Sequence, residues 1–223
     1  MQLPSGFFLK GQTGHLAALI VLVGAVYAVS DLVIGDGVWL GITVTGWFWL
    51  TILIGIIHQV VTWAGWRSQL QWSLLTRWFG QLDLMIWGII FLPLLAARPL
   101  TLIGLGIADF NSLPVAPELS MAAGIVLLIP GVYTLWSTAR YFGIKRAMGG
   151  DHFRQKYREM PLVNQGAFAW SGNAMYVYGF LILWAIALLS NSLAAIAAAA
   201  FHHLYVWVHY FSTEKPDMEL LYK

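Results

Sequence analysis

Six apolar runs divide the chain, at residues 15–34, 39–63, 83–105, 119–139, 174–189 and 192–211. A hydrocarbon core of roughly 30 Å takes about 20 helical residues to cross, and the runs are read against that length. In a soluble domain so many apolar segments would leave large greasy faces in water. Composition agrees: 59% of the 223 residues are hydrophobic, 10% are charged and the mean hydropathy is +0.72, whereas a soluble domain carries about 25% charged residues. The chain therefore reads as an all-α integral membrane protein, one bundle of about six transmembrane helices, with no Ser-, Pro- or charge-rich linker between two cores. The first run has Lys10 before it and "AVS" near its end, but it is too long for the apolar part of a signal peptide and is read as a helix. Pro93 and Pro130 lie inside runs three and four, where a kink is expected rather than a break. "SNS" (Ser190–Ser192) predicts a tight turn between the last two helices. "AAIAAAA" (Ala194–Ala200) supplies small residues that let helices approach closely.

Orientation follows from Lys and Arg. With six crossings, Lys10, Arg67, Arg77, Arg140, Lys145, Arg146, Arg154, Lys156, Arg158, Lys215 and Lys223 fall on one side and Arg98 alone on the other, eleven of the twelve basic residues against one. Both termini are then cytoplasmic in a multi-pass protein. A net charge of +2 is too small to indicate nucleic acid as a partner, and the absence of cysteine excludes disulfides, Cys-ligated zinc and thiol catalysis. Nothing in the chain indicates an oligomeric state.

Three clusters with chemical potential converge on the predicted cytoplasmic surface: "GIKRAMGGDHF" (Gly143–Phe153), "GAFAWSGNAMYVYG" (Gly166–Gly179) and "HHLYVWVHYFSTEKPDMELLY" (His202–Tyr222). Each has an ordinary reading: paired glycines end helices, a basic loop sets topology, and Tyr and Trp near helix ends form interfacial belts. Yet polar groups at a membrane border are expensive unless something occupies them, and Ser171, Gly172 and Asn173 interrupt the chain there. On a continuing helix His203, Tyr210 and Glu214 form one polar stripe. The spans carry few ionisable groups, of which His58 is the main one. His202 and His209 share a face, but six histidines in one chain, with no second cluster, make a poor metal centre; no metal is expected.

Together these clusters resemble the phospholipid N-methyltransferase family, which converts phosphatidylethanolamine towards phosphatidylcholine, and more distantly the isoprenylcysteine carboxyl methyltransferases. Gly143, Ile144 and Gly150–Phe153 are similar to the family's Gly-Ile stretch leading into Gly-Asp-Tyr-Phe; Asn173–Tyr176 to its Asn-Pro-Met-Tyr; and Glu214–Pro216 with Tyr222 to its Glu-Glu-Pro and following Tyr. Ala174, Lys215 and Arg146 depart from that pattern. The resemblance covers roughly residues 140–223, a methyltransferase-like core behind N-terminal helices in 1–139. It implies S-adenosylmethionine as cofactor, held at the cytoplasmic face by Gly143, Gly150, Gly166, Phe168, Asn173, Tyr176 and Glu214. It places Asp151, His152, His209 and Glu214 among the catalytic candidates, the first three as takers of the acceptor's proton. The implied partners are the bilayer and a membrane lipid amine, reached sideways through a gap beside "AAIAAAA", its methylated ammonium against Trp170, Tyr176, Trp207 or Tyr210. Other acceptors stay open, a prenylcysteine carboxylate or a small thiol. So do an NADPH-dependent membrane reductase, which would need Arg154, Lys156 and Arg158 to close on a 2′-phosphate, and a non-catalytic transporter or scaffold.

Overall fold

The computed structural model describes residues 6–222; Lys223, counted above among the basic residues, lies outside them. Six principal helices account for most of the fold: α1 (Gln12–Val33), α2 (Val44–Trp72), α3 (Asp83–Ala108), α4 (Pro117–Ser137), α5 (Leu181–Leu189) and α6 (Leu193–His209). Among the described residues the only strands form a small hairpin, Val38–Trp39 against Ile42–Thr43. A helix stands at each apolar run. Four helical stretches, Phe7–Val33, Val44–Trp72, Leu74–Ala108 and Pro117–Phe142, are long and apolar enough to cross a membrane, and Met175–Leu189 forms a shorter apolar one. The chain is an integral membrane protein with four helices of spanning length; α5 and α6 follow them as a tight hairpin.

Helix α3 runs through Pro93 and Pro99, and α4 through Pro130, without ending. At the α5–α6 turn Asn191 takes a left-handed conformation (φ 48°). Ser192 caps α6 by accepting from the Ala195 amide at 3.0 Å. Buried Asp109, at the end of α3, accepts from Ser192 Oγ and the Ala194 amide, so the end of α3 and the start of α6 are tied by one carboxylate.

Ala194, Ala195, Ala198 and Ala199 are wholly buried, in one apolar cluster with Phe48 and Ile52 of α2, Leu102 and Leu105 of α3 and Leu183 of α5. Small side chains allow this approach. Ile196, Ala197 and Ala200 of the same run stay partly exposed. A correction concerns ionisable groups. His15, His58, Arg67, Arg98, His202 and His209 are all buried within helices, so His58 is one of several. Arg98 is not a charge at the far surface: its Nε donates to His202 Nδ1 at 2.9 Å, and its guanidinium lies 4.7 Å from the centre of the Phe180 ring.

Candidate functional site

Three π-helical turns, Thr138–Phe142, Met175–Gly179 and Tyr210–Glu214, follow α4, precede α5 and follow α6. Each fits an extra residue into a turn and so re-aims the side chains beyond it, an arrangement frequent at functional sites. All three lie at the end of the bundle that carries the loop 143–173.

One part of this region is an ionic chain starting in α2. Arg67 Nη1 donates to the carbonyls of Phe7 (2.6 Å) and Lys10 (2.9 Å), Nη2 donates to the Thr213 carbonyl (3.2 Å), and Nε sits 2.6 Å from Asp217 Oδ1 with both side chains fully buried. The other Asp217 oxygen is 3.3 Å from His152 Nε2; His152 Nδ1 is 2.8 Å from Asp151, and Tyr222 donates to Asp151 at 3.0 Å. The His152 ring stacks on Trp66 at 4.5 Å. Gly149 makes this possible: it takes φ 84°, and a Cβ there would come 2.2 Å from Trp66 Nε1. The preceding Met148 carbonyl accepts from both Trp66 and Trp87 indoles, at 3.0 and 2.7 Å.

Burial alone would push His152 down, but hydrogen bonds and charge from Asp151 and Asp217 outweigh it and raise its pKa to about 9. Burial works to raise Asp151, yet the hydrogen bond from His152 leaves it below the ordinary carboxylate value. His152 is therefore an imidazolium at neutral pH, clamped between two carboxylates. It holds the loop and the C-terminal segment together, and as a proton acceptor it is already filled.

The second part centres on Glu214. Tyr176 donates its hydroxyl to the Glu214 carboxylate, and the Tyr176 ring meets those of Trp207 (5.9 Å) and Tyr210 (5.8 Å) edge-on. Glu214 has no cationic partner in any ion pair among the described residues. Burial pushes its pKa up, against the lowering bond from Tyr176, to about 7. Three of the four aromatic residues singled out in the sequence thus come together; Trp170 does not, standing instead against Tyr133 and Tyr178. The expected stripe also divides, because His203 accepts from the Trp184 indole at 3.0 Å, above the π-turn that aims Glu214.

The remaining expected residues are distributed as follows. Gly143, at φ 90°, faces open space. Gly150 and Gly166 owe their lack of a side chain to packing inside the chain, since a Cβ would meet the Lys145 carbonyl at 2.5 Å in the first case and Ser137 Oγ at 2.5 Å in the second. Phe168 is buried and stacks on Phe142, while the Asn173 carbonyl accepts from the amides of Tyr176 and Val177 and so opens the second π-turn. His209 is buried a layer deeper, 5.8 Å from Trp66 ring to ring, with neither ring nitrogen hydrogen-bonded. His202 is occupied by Arg98 and the Thr51 carbonyl, so it does not join His209. Sequence reasoning missed Trp66, Arg67 and Asp217. Arg67 stood out only as a topology charge, and Asp217, directly after the Glu-Lys-Pro stretch, carried no signal of its partner 150 positions away.

Residues 119–223 match the family model described as phospholipid methyltransferase. No curated protein and no solved structure matches the chain. The matched segment takes in α4 from its third residue, the loop with the Asp151–His152 pair, α5, α6 and the segment with Glu214 and Asp217.

Proposed function

We propose, from the match of residues 119–223 to the phospholipid methyltransferase family model, that this chain is an S-adenosylmethionine-dependent methyltransferase whose acceptor is a membrane lipid amine, phosphatidylethanolamine or a partly methylated form. The observation that carries the reading is the cluster of Glu214 with Tyr176, Trp207 and Tyr210 at a helix end: a carboxylate without a cation, edged by aromatic rings. The donor set fits the cofactor. Glu214 would take its ammonium, the aromatic faces its sulfonium, and Asn173 and the open backbone at Gly143 its polar remainder. Bound there, the cofactor supplies a methyl group already activated as a sulfonium substituent, which a lone pair attacks without a covalent enzyme intermediate.

The chain's own part is positioning. Alignment of two reactants can supply up to about 7–11 kcal/mol, and here it depends on the chain from Arg67 through Asp217 and His152 to Asp151. That chain fixes the segment carrying Glu214 against the loop carrying Gly150. In this reading residues 140–223 are the methyltransferase-like core, the helices of 1–139 support it through Trp66 and Arg67, and the site faces the cytoplasm with both termini. The reductase reading finds less support: Arg154 is bound to Asp83, Arg158 donates to the Asp151 carbonyl, and Lys156 lies over the Tyr157 ring, so the three cations point to different partners.

Incubation of the purified protein with methyl-labelled cofactor and a mixed lipid extract tests the proposal. Label in methylated phosphatidylethanolamine is the expected result; label only in a thiol or a prenylated peptide, or in no product, overturns it.

A further inference from the structure

A groove of about 870 Å³ lies between the first half of α3 and the loop, away from Glu214. Its long wall is apolar, running from Leu84 to Leu92, about 12 Å along the helix. Its mouth is cationic. Lys145 and Lys156 line it, both exposed and in none of the ion pairs among the described residues, while Arg154 beside them is neutralised by Asp83 at 2.5 Å. No carboxylate lines the groove.

Apolar depth with two ammonium groups that no carboxylate pairs with at the headgroup end is the complement of a lipid that carries negative charge. A zwitterionic lipid amine, whose ammonium offsets its phosphate, gains less from these lysines than an anionic lipid does, which distinguishes this groove from the acceptor's seat. We propose that the groove binds an anionic phospholipid, its acyl chain along α3 and its phosphodiester between Lys145 and Lys156, independently of the methyl-transfer reading. The occupant touches Met148, whose carbonyl holds Trp66 and Trp87 and whose neighbour Gly149 leads into Asp151 and His152. Anionic lipid therefore steadies the loop from outside.

Native mass spectrometry of the full chain in detergent tests this with equimolar dioleoyl phosphatidylglycerol and dioleoyl phosphatidylcholine, whose acyl chains are identical. Retention of phosphatidylglycerol is expected to exceed that of phosphatidylcholine roughly tenfold, about 0.7 kcal/mol for each lysine. Lys145→Gln with Lys156→Gln should remove the preference, and both positions are exposed, so folding is spared. Ile89→Trp, which fills the groove, should lower retention of both lipids. Equal retention by the wild type, a preference that survives the double variant, or displacement of the lipid by millimolar glycerol phosphate overturns the proposal, the last showing a site for free phosphate.

Discussion

Arg67 and Arg98 are both buried in helices of spanning length, and the chain satisfies them differently. Arg67 has a carboxylate, Asp217, and backbone carbonyls from two distant segments. Arg98 has an uncharged partner: since it can only donate, His202 Nδ1 must accept, and the proton on Nε2 goes to the Thr51 carbonyl at 3.0 Å. Removing one member of a buried ion pair strands the other charge, while removing a cation from a neutral acceptor strands only a lone pair. The end of the bundle with the loop is therefore held by ionic contacts around Asp217 and His152 next to the segment that carries Glu214, and the interior by close packing of alanines with the neutral Arg98–His202 bond.

The largest effect should come from Arg67→Met, which removes the nearer of Asp217's two cations, leaves it only His152 at 3.3 Å, and should cost about 3–5 kcal/mol of stability. Combining it with Asp217→Leu should recover most of that loss in thermal unfolding of the detergent-solubilised protein; a single variant as stable as the wild type would dissolve the contrast. Arg98→Met should cost less, roughly 1–3 kcal/mol for the orphaned His202 acceptor. A greater loss at Arg98 than at Arg67 reverses the ranking.

A third test uses pH. The folded pKa of His152, about 9, lies above its usual value of 6.5, so its contribution is fully present below pH 6.5 and is lost as pH rises through about 9. Melting temperature should fall across that window, and His152→Gln should flatten the decline. Unchanged slopes in the variant would remove His152 from the ionic chain. The smallest effect is expected at Tyr176→Phe, which deletes one hydrogen bond to Glu214 and should weaken cofactor binding by about 0.5–1.5 kcal/mol in calorimetry; a loss as great as that from Glu214→Gln would make the hydroxyl the principal ligand.

Hydropathy made the helices legible, because length and apolar content alone decide what can cross a bilayer. Turn chemistry at Asn191 and the small residues at Ala194–Ala200 were legible for the same local reasons. The three segments singled out by motif all lie inside the family match. What stayed hidden was pairing across the chain. Arg67 reads as a topology charge until residues 7–10 and 212–217 fold over it, and Arg98 reads as the lone basic residue of the far side until α6 presents His202. The glycines show the converse: Gly150 and Gly166 read as space for a ligand, and each is also required by a neighbouring carbonyl or hydroxyl.

The central claim is that Glu214 is a carboxylate kept free for the cofactor's cation. Isothermal calorimetry with S-adenosylmethionine from pH 6 to 8 tests it most directly. A cation binds the ionised form, and with a Glu214 pKa of about 7 affinity should strengthen as pH rises through that value. Glu214→Gln should bind more weakly by about 1.5–3 kcal/mol, roughly 10- to 150-fold, with no pH dependence. Wild-type and variant curves that coincide, or no binding by folded wild-type protein at millimolar cofactor, would contradict the account.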